Sequence, residues 1–263
     1  MANRLLLIDG LNLIRRLHAA LESESDPERR IERTQNLCID AMVKLMDQFS
    51  PSHVAIVFDS PEKTWRHQVY PEYKLGRVPM DDSLLEAMPD FAKAFRFNGW
   101  ACIRLAGWEA DDVIATLAYK ASVHGVGAMI ISTDKGYTQL LKHPNILQYD
   151  YFAKQGYDRM WAENKYGVSC EALPDYWAMV GDTTNHIPGV KGVGPKSAAQ
   201  ILAQQPDLES VFADLSVYPT KFQKLLEGQL EHCVFARSMV TLRTDVDVGV
   251  RLSQFAIPPA SKA

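Results

Sequence analysis

Three short apolar runs in the first half of the chain each close on an aspartate. Leu5, Leu6, Leu7 and Ile8 lead to Asp9; Ala55, Ile56, Val57 and Phe58 lead to Asp59; Met129, Ile130, Ile131, Ser132 and Thr133 lead to Asp134. Short apolar runs of this kind read as buried strands. Between them the spacing turns helical, over residues 31–49 and over 110–124, where Val113, Ile114, Leu117 and Ala118 mark the pattern. A further strand is read at 101–105. Strands separated by helices imply an α/β fold with a mostly parallel central sheet and flanking helices on both faces. In such a sheet the strand ends converge on one edge, where open α/β sheets place their ligands. The three aspartates are thus aimed at one site.

From about Trp161 onward the strand signals stop and helical patterns follow, at 161–166, 173–180, 197–204, 208–213 and 230–242. The expected division is an α/β core over 1–160, a helical region over 161–257 and a flexible tail over 258–263. No Gly/Ser linker separates the two parts, so they should pack against each other. With 263 residues, 47% hydrophobic and 23% charged, the chain excludes disordered and collagen-like architectures. Cys38, Cys102, Cys170 and Cys233 lie far apart with no zinc-like spacing and read as reduced core thiols. The four apolar residues after Arg4 are too short for a secretory leader, and no run approaches a membrane span. A cytoplasmic protein without a membrane partner is the expectation.

A fourth acidic element, Glu109, Asp111 and Asp112, opens the 110–124 helix. Taken singly, each acid is what a helix N-terminus or a tight turn favours. As a set, up to six carboxylates on one crevice would repel one another and raise each other's pKa unless a cation offset them. Oxygen-rich sites suit Mg²⁺ or Mn²⁺, and their commonest chemistry is hydrolysis of phosphate esters.

The net charge of −4 seems to argue against a polyanionic partner, yet its distribution matters more than its sum. Lys63, Arg66, Lys74 and Arg77 are interleaved with Trp65, Tyr70 and Tyr73, against only Glu62 and Glu72. Cations that track phosphates and rings that accept bases suit a single-stranded nucleic-acid channel. Further on, Gly189, Gly192 and Gly194 precede Pro195, Lys196 and Ser197. Pro195 interrupts the Gly-Lys pair that a Walker loop needs, which disfavours an ATPase. Glycines followed by a helix-opening proline describe a backbone cradle for one phosphate, gripping DNA without reading bases.

In this order, Asp9, Asp59, Tyr73-Lys74-x-x-Arg77, Glu109-Ala-Asp-Asp112, Ser132-Thr-Asp134 and Gly189-Val-x-Gly-Val-Gly-Pro-Lys196 resemble the bacterial and phage 5′-nuclease (flap endonuclease) family, most of all its free-standing exonuclease IX type. The resemblance spans nearly the whole chain. It implies Mg²⁺-dependent cleavage of 5′ flaps at branched DNA by a monomer, with Mn²⁺ able to substitute. It assigns Asp9, Asp59, Glu109, Asp111, Asp112 and Asp134 to the first metal site, directly or through waters, with Asp111 also catalytic. Lys74 and Arg77 would contact the scissile phosphate from a helical arch over about 60–98, and Tyr73 would stack on a base. A helix-three-turn-helix motif over about 173–204 would bind K⁺ through the carbonyls of Met179, Val180, Pro188, Val190 and Val193. Gly192, Val193, Gly194, Pro195, Lys196 and Ser197 would touch DNA. Two departures stand out: Gly136 and Asn185 occupy positions where two-metal members carry aspartate, leaving Asp182 alone in the second site. One well-bound ion and modest activity are expected. A branched-DNA-binding protein with weak catalysis and an RNA-cleaving acidic α/β nuclease are the alternatives.

Overall fold

The computed structural model describes residues 4–257, so the expected tail at 258–263 lies outside the described residues. Six strands form one sheet: β1 (Arg4–Asp9), β2 (His53–Phe58), β3 (Ala101–Arg104), β4 (Gly127–Ile131), β5 (Ile146–Asp150) and β6 (Gln155–Tyr157). Their order is β3-β2-β1-β4-β5-β6, and only β6 runs antiparallel to its neighbour. β1 is central, with Ile8 in register with Ile56 on one side and Ile131 on the other. That register brings the Asp9, Asp59 and Asp134 ends of three adjacent strands to the same edge.

Side chains alternate along the strands and build two cores. On one face Leu6, Ile8, Val54 and Ile56 pack with residues of α1 (Gly10–Ala19) and α2 (Pro27–Phe49). On the other, Leu5, Leu7, Ala55 and Val57 pack against Val113, Ile114 and Leu117 of the 110–123 helix. The long helix starts earlier than the residue 31 expected from periodicity, because the Asp26 side chain caps it and Pro27 supplies its first turn.

Two helices follow β2 before β3: the short α3 (Trp65–Val69) and the longer α4 (Asp82–Phe97). Both lie within the span expected as an arch, 60–98. α4 buries Leu84, Met88, Phe91 and Phe95 in the same core as α2, so it belongs to the covering layer of the sheet. β5 and β6 were not anticipated. Gln148 breaks the apolar run of β5, and it is buried because its amide donates to the carbonyls of Ser132 and Asp134.

α5 (Ala110–Val123) carries the acidic first turn. Beyond the sheet come α6 (Arg159–Tyr166), α7 (Leu173–Val180), a ribbon of β7 (Gly181–Asp182) and β8 (Ile187–Pro188), then α8 (Pro195–Leu202), α9 (Leu208–Ala213), α10 (Thr220–Leu226) and α11 (Leu230–Val240). α10 was not anticipated. These helices enclose their own core, with Leu173, Met179, Ile201, Leu208, Val211, Leu226 and Met239 fully or almost fully buried. The ribbon folds back tightly on α7. A Cβ at Gly189 would lie 2.4 Å from the Val180 carbonyl carbon and 2.5 Å from both Gly181 N and Met179 O, so no other residue fits without moving the backbone.

Candidate active site

Each strand-end acid is anchored by the local structure that follows it. Asp9 caps α1 by accepting from Asn12 N at 3.1 Å, and its other oxygen accepts from Ser132 Oγ at 2.9 Å. Asp59 Oδ1 accepts from Ala110 N at 2.8 Å, which ties the end of β2 to the start of α5. Asp111 Oδ1 accepts from the buried Tyr137 hydroxyl at 2.6 Å, and Asp134 Oδ1 from Gly136 N at 2.6 Å. These four acids feel one another. Burial pushes Asp9 up to about 7, with Asp59 and then Asp134 adding to the rise. Asp111 is also raised well above the carboxylate range, by burial first and then by Asp134, Asp9 and Asp59.

Glu109 and Asp112 turn elsewhere. Arg66 is 2% exposed, and all five of its N–H groups are occupied. Nη1 donates to Glu109 Oε2 and Asp112 Oδ2, both at 2.6 Å; Nη2 donates to Asp112 Oδ1 at 2.9 Å and Thr241 O at 3.0 Å; Nε donates to Met239 O at 2.8 Å. Asp112 accepts two more bonds, from Trp65 Nε1 at 3.0 Å and Arg243 N at 2.9 Å. Its four lone-pair positions are full, so of the two roles expected for Asp112, direct ligand or partner through water, the direct one finds no free lone pair here. Burial works against the charge of Arg66, but Asp112 and Glu109 more than offset it and its pKa is raised.

Lys74 Nζ donates to Glu109 Oε1 at 2.5 Å. Burial alone would lower the Lys74 pKa, but Glu109 and then Asp111 raise it. Burial would likewise raise Glu109, yet Lys74 and Arg66 hold it below its ordinary value. Tyr73 departs from expectation. Its ring is 5% exposed inside the helical core and its hydroxyl donates to Glu109 at 3.2 Å, so no face is open to a base. Arg66 likewise leaves the phosphate-tracking set, while Lys63 and Arg77 stay exposed. Arg15 on α1 was missed. Burial and the nearby Arg77 lower its pKa, with Asp59 opposing them, so Arg15 lies within charge reach of both. Its place in a mixed helical stretch carries no sequence signal.

Among the described residues no three His, Cys, Asp or Glu side chains are already gathered as a closed metal cluster. What converges is an all-oxygen edge in which the charges of Asp59 and Asp134 add to the rise at Asp9 and Asp111, and a hard cation suits that donor set. Asp182 lies on the ribbon instead. Its Oδ1 accepts from Thr184 N and Asn185 N, and its Oδ2 accepts from Asn185 Nδ2 at 2.6 Å.

Family models described as the 5′-3′ exonuclease N-terminal resolvase-like domain and the 5′-3′ exonuclease C-terminal SAM fold match residues 4–167 and 168–263. This chain belongs to the 5′-3′ exonuclease family. The two matches meet just after α6. Curated relatives named flap endonuclease Xni are similar throughout: that of Pectobacterium carotovorum is 42% identical, covering 98% of this chain and 96% of that protein. The Klebsiella pneumoniae relative is 41% identical over 98% of this chain and 99% of that protein. The fold is shared with the bacteriophage T5 D15 protein co-crystallized with metal ions, at TM-score 0.80 and 19% identity over 92% of this chain and 90% of that one. It is shared as well with the T5 D15 flap endonuclease in a pseudo-enzyme-product complex with DNA and metal ions, at TM-score 0.74 and 20% identity over 92% and 90%.

Two outcomes follow from the electrostatics of this exonuclease-family site. Arg66→Ala leaves Asp112 buried without its main partner and Glu109 with Lys74 alone, and should cost about 3–5 kcal/mol, read as the urea midpoint. A loss below about 1 kcal/mol would contradict the buried pairing. For Asp9, a folded pKa of about 7 against an ordinary 3.8 means that its contribution is fully present below the lower value and lost as pH rises through the higher. Metal-free protein should therefore weaken across that window in thermal melts, and Asp9→Asn should flatten the fall; an unchanged slope would refute it.

Proposed function

We propose that this chain is a structure-specific 5′ flap endonuclease, hydrolysing phosphodiester bonds at branched DNA as a cytoplasmic monomer. One observation carries the reading: four mutually repelling carboxylates, Asp9, Asp59, Asp111 and Asp134, meet at the sheet edge within the electrostatic reach of Lys74. The family match and the relatives named flap endonuclease point to the same activity.

These four residues would hold one Mg²⁺, with Mn²⁺ able to substitute, because a hard cation relieves the charge repulsion that helps raise Asp9 and Asp111. When bound, such an ion activates water and offsets charge gathering on the phosphate. Tyr137 orients Asp111 through its 2.6 Å hydrogen bond, and Ser132 orients Asp9. Glu109 holds Lys74 at the edge, from which Lys74 and the exposed Arg77 engage the scissile phosphate.

The duplex arm lies on the glycine loop, as a helix-three-turn-helix. Gly192 has φ +89°, Gly194 is extended ahead of α8, and Pro195 opens that helix, so the amides of Gly194, Lys196 and Ser197 are free of helix bonding and suit a phosphate. Exposed Lys196 adds charge. K⁺ would be held by the carbonyls of Met179, Val180, Pro188, Val190 and Val193. The closeness of the Met179 and Val180 backbone to Gly189, with Val190 N donating to Met179 O at 2.8 Å, supports this clustering.

Two measurements test the proposal. Asp111→Ala should lower cleavage of a 5′-flap DNA in Mg²⁺ by about a hundredfold or more and weaken Mn²⁺ binding seen by electron paramagnetic resonance. Equal residual cleavage in both proteins would leave a branched-DNA-binding protein, and better cleavage of single-stranded RNA than of flap DNA would leave an RNA nuclease. Affinity for duplex DNA should be higher in K⁺ than in Li⁺ at equal ionic strength; equal affinities would remove the K⁺ site.

A further inference from the structure

Two of the four non-glycine residues with positive φ among the described residues face each other across one joint. Lys74, at φ +59°, lies in the loop after α3, and His186, at φ +59°, closes the turn between β7 and β8. A left-handed conformation is unfavourable for a side-chain-bearing residue and persists only where the surroundings enforce it. For Lys74 the enforcing contact is a backbone bond: Lys74 N donates to Asn185 O at 3.0 Å. The Asn185 carbonyl is placed in turn by a clasp. Asn185 Nδ2 donates to Asp182 Oδ2 at 2.6 Å, while Asp182 Oδ1 accepts from Thr184 N at 3.0 Å and Asn185 N at 3.2 Å. Both oxygens of Asp182 are thus committed to shaping the turn.

We infer that Asn185 is a positioning residue for Lys74, acting through the Asp182–Asn185 clasp. The left-handed backbone at Lys74 sets where its side chain leaves the loop, and Nζ meets Glu109 at 2.5 Å beside Asp111. The clasp also sits on the ribbon whose other end is the glycine loop, since Gly181 pairs with Pro188 and the Gly189 backbone packs on Gly181 N. The duplex-gripping loop and the lysine at the carboxylate edge are therefore joined through one short turn. This deepens the proposed function and rests on it for the role of Lys74.

A double-mutant cycle tests it: wild type, Asn185→Ala, Lys74→Ala and the double variant, each assayed by single-turnover cleavage of a 5′-flap DNA in Mg²⁺. Asn185→Ala should slow cleavage by about tenfold when Lys74 is present and by less than about twofold when Lys74 is already alanine. Affinity for the same DNA with Ca²⁺ in place of Mg²⁺ should stay within about twofold, because the rate and not binding carries the effect. Asp182→Ala, which removes the other half of the clasp, should give the same pattern and guards against a folding defect peculiar to one variant. Equal slowing in both Lys74 backgrounds overturns the positioning role while leaving the nuclease intact. A Lys74→Ala protein as fast as wild type overturns the reading of Lys74 itself and the positioning role with it.

Discussion

Burying a guanidinium with two carboxylates costs solvation that only complete pairing recovers, and Arg66 is completely paired only where three segments meet. Its donors reach the start of α5 through Glu109 and Asp112 and the end of α11 through the carbonyls of Met239 and Thr241, while the residue itself rides on α3. The last carbonyls of a helix have no partners of their own and favour a cation, so α11 gains a cap from the same contact. Shift any one segment and a buried charge loses its partners. The acidic helix, the base of the loop that carries Lys74, and the helical half are thereby held in one arrangement.

That arrangement sorts six neighbouring acids into two groups with different partners. Glu109 has cations at hand and is held below its ordinary pKa. Asp9 and Asp111 have mainly one another, Asp59 and Asp134 at hand, and are raised. The first group builds the wall, and the second is left short of positive charge. A cation is what the second group lacks, and the formal charge of −4 conceals this because it averages the carboxylate edge with exposed Lys63, Arg77 and Lys196.

Much of this was legible from residue order. The apolar runs before Asp9, Asp59 and Asp134 are strands in adjacent positions, and the glycines before Pro195 do open a helix. The misreadings share one cause. The alternation of cations and aromatics around Arg66 and Tyr73 suggests surface groups, yet both point inward to Glu109. Alternation of residue types is compatible with a solvated loop and with a buried network alike, and only the partner, 36 or 43 residues away in the chain, distinguishes them. The packing of α4 is not legible for a similar reason: its apolar face meets α2, and the sequence of a helix does not name its neighbour.

By itself the sequence determined the alternation of strand and helix, the parallel sheet this demands, and the identity of the acids that finish its strands. Those follow from local periodicity and from the handful of ways apolar faces can be covered. Tertiary structure alone decided which acids remain free. A carboxylate's availability depends on whether a distant donor fills its lone pairs, and for Asp112 those donors come from Arg66, Trp65 and Arg243. For Asp59, Asp111 and Asp134 the one anchoring bond goes to a single oxygen, and the field between them is set by distances that exist only once the strands lie side by side.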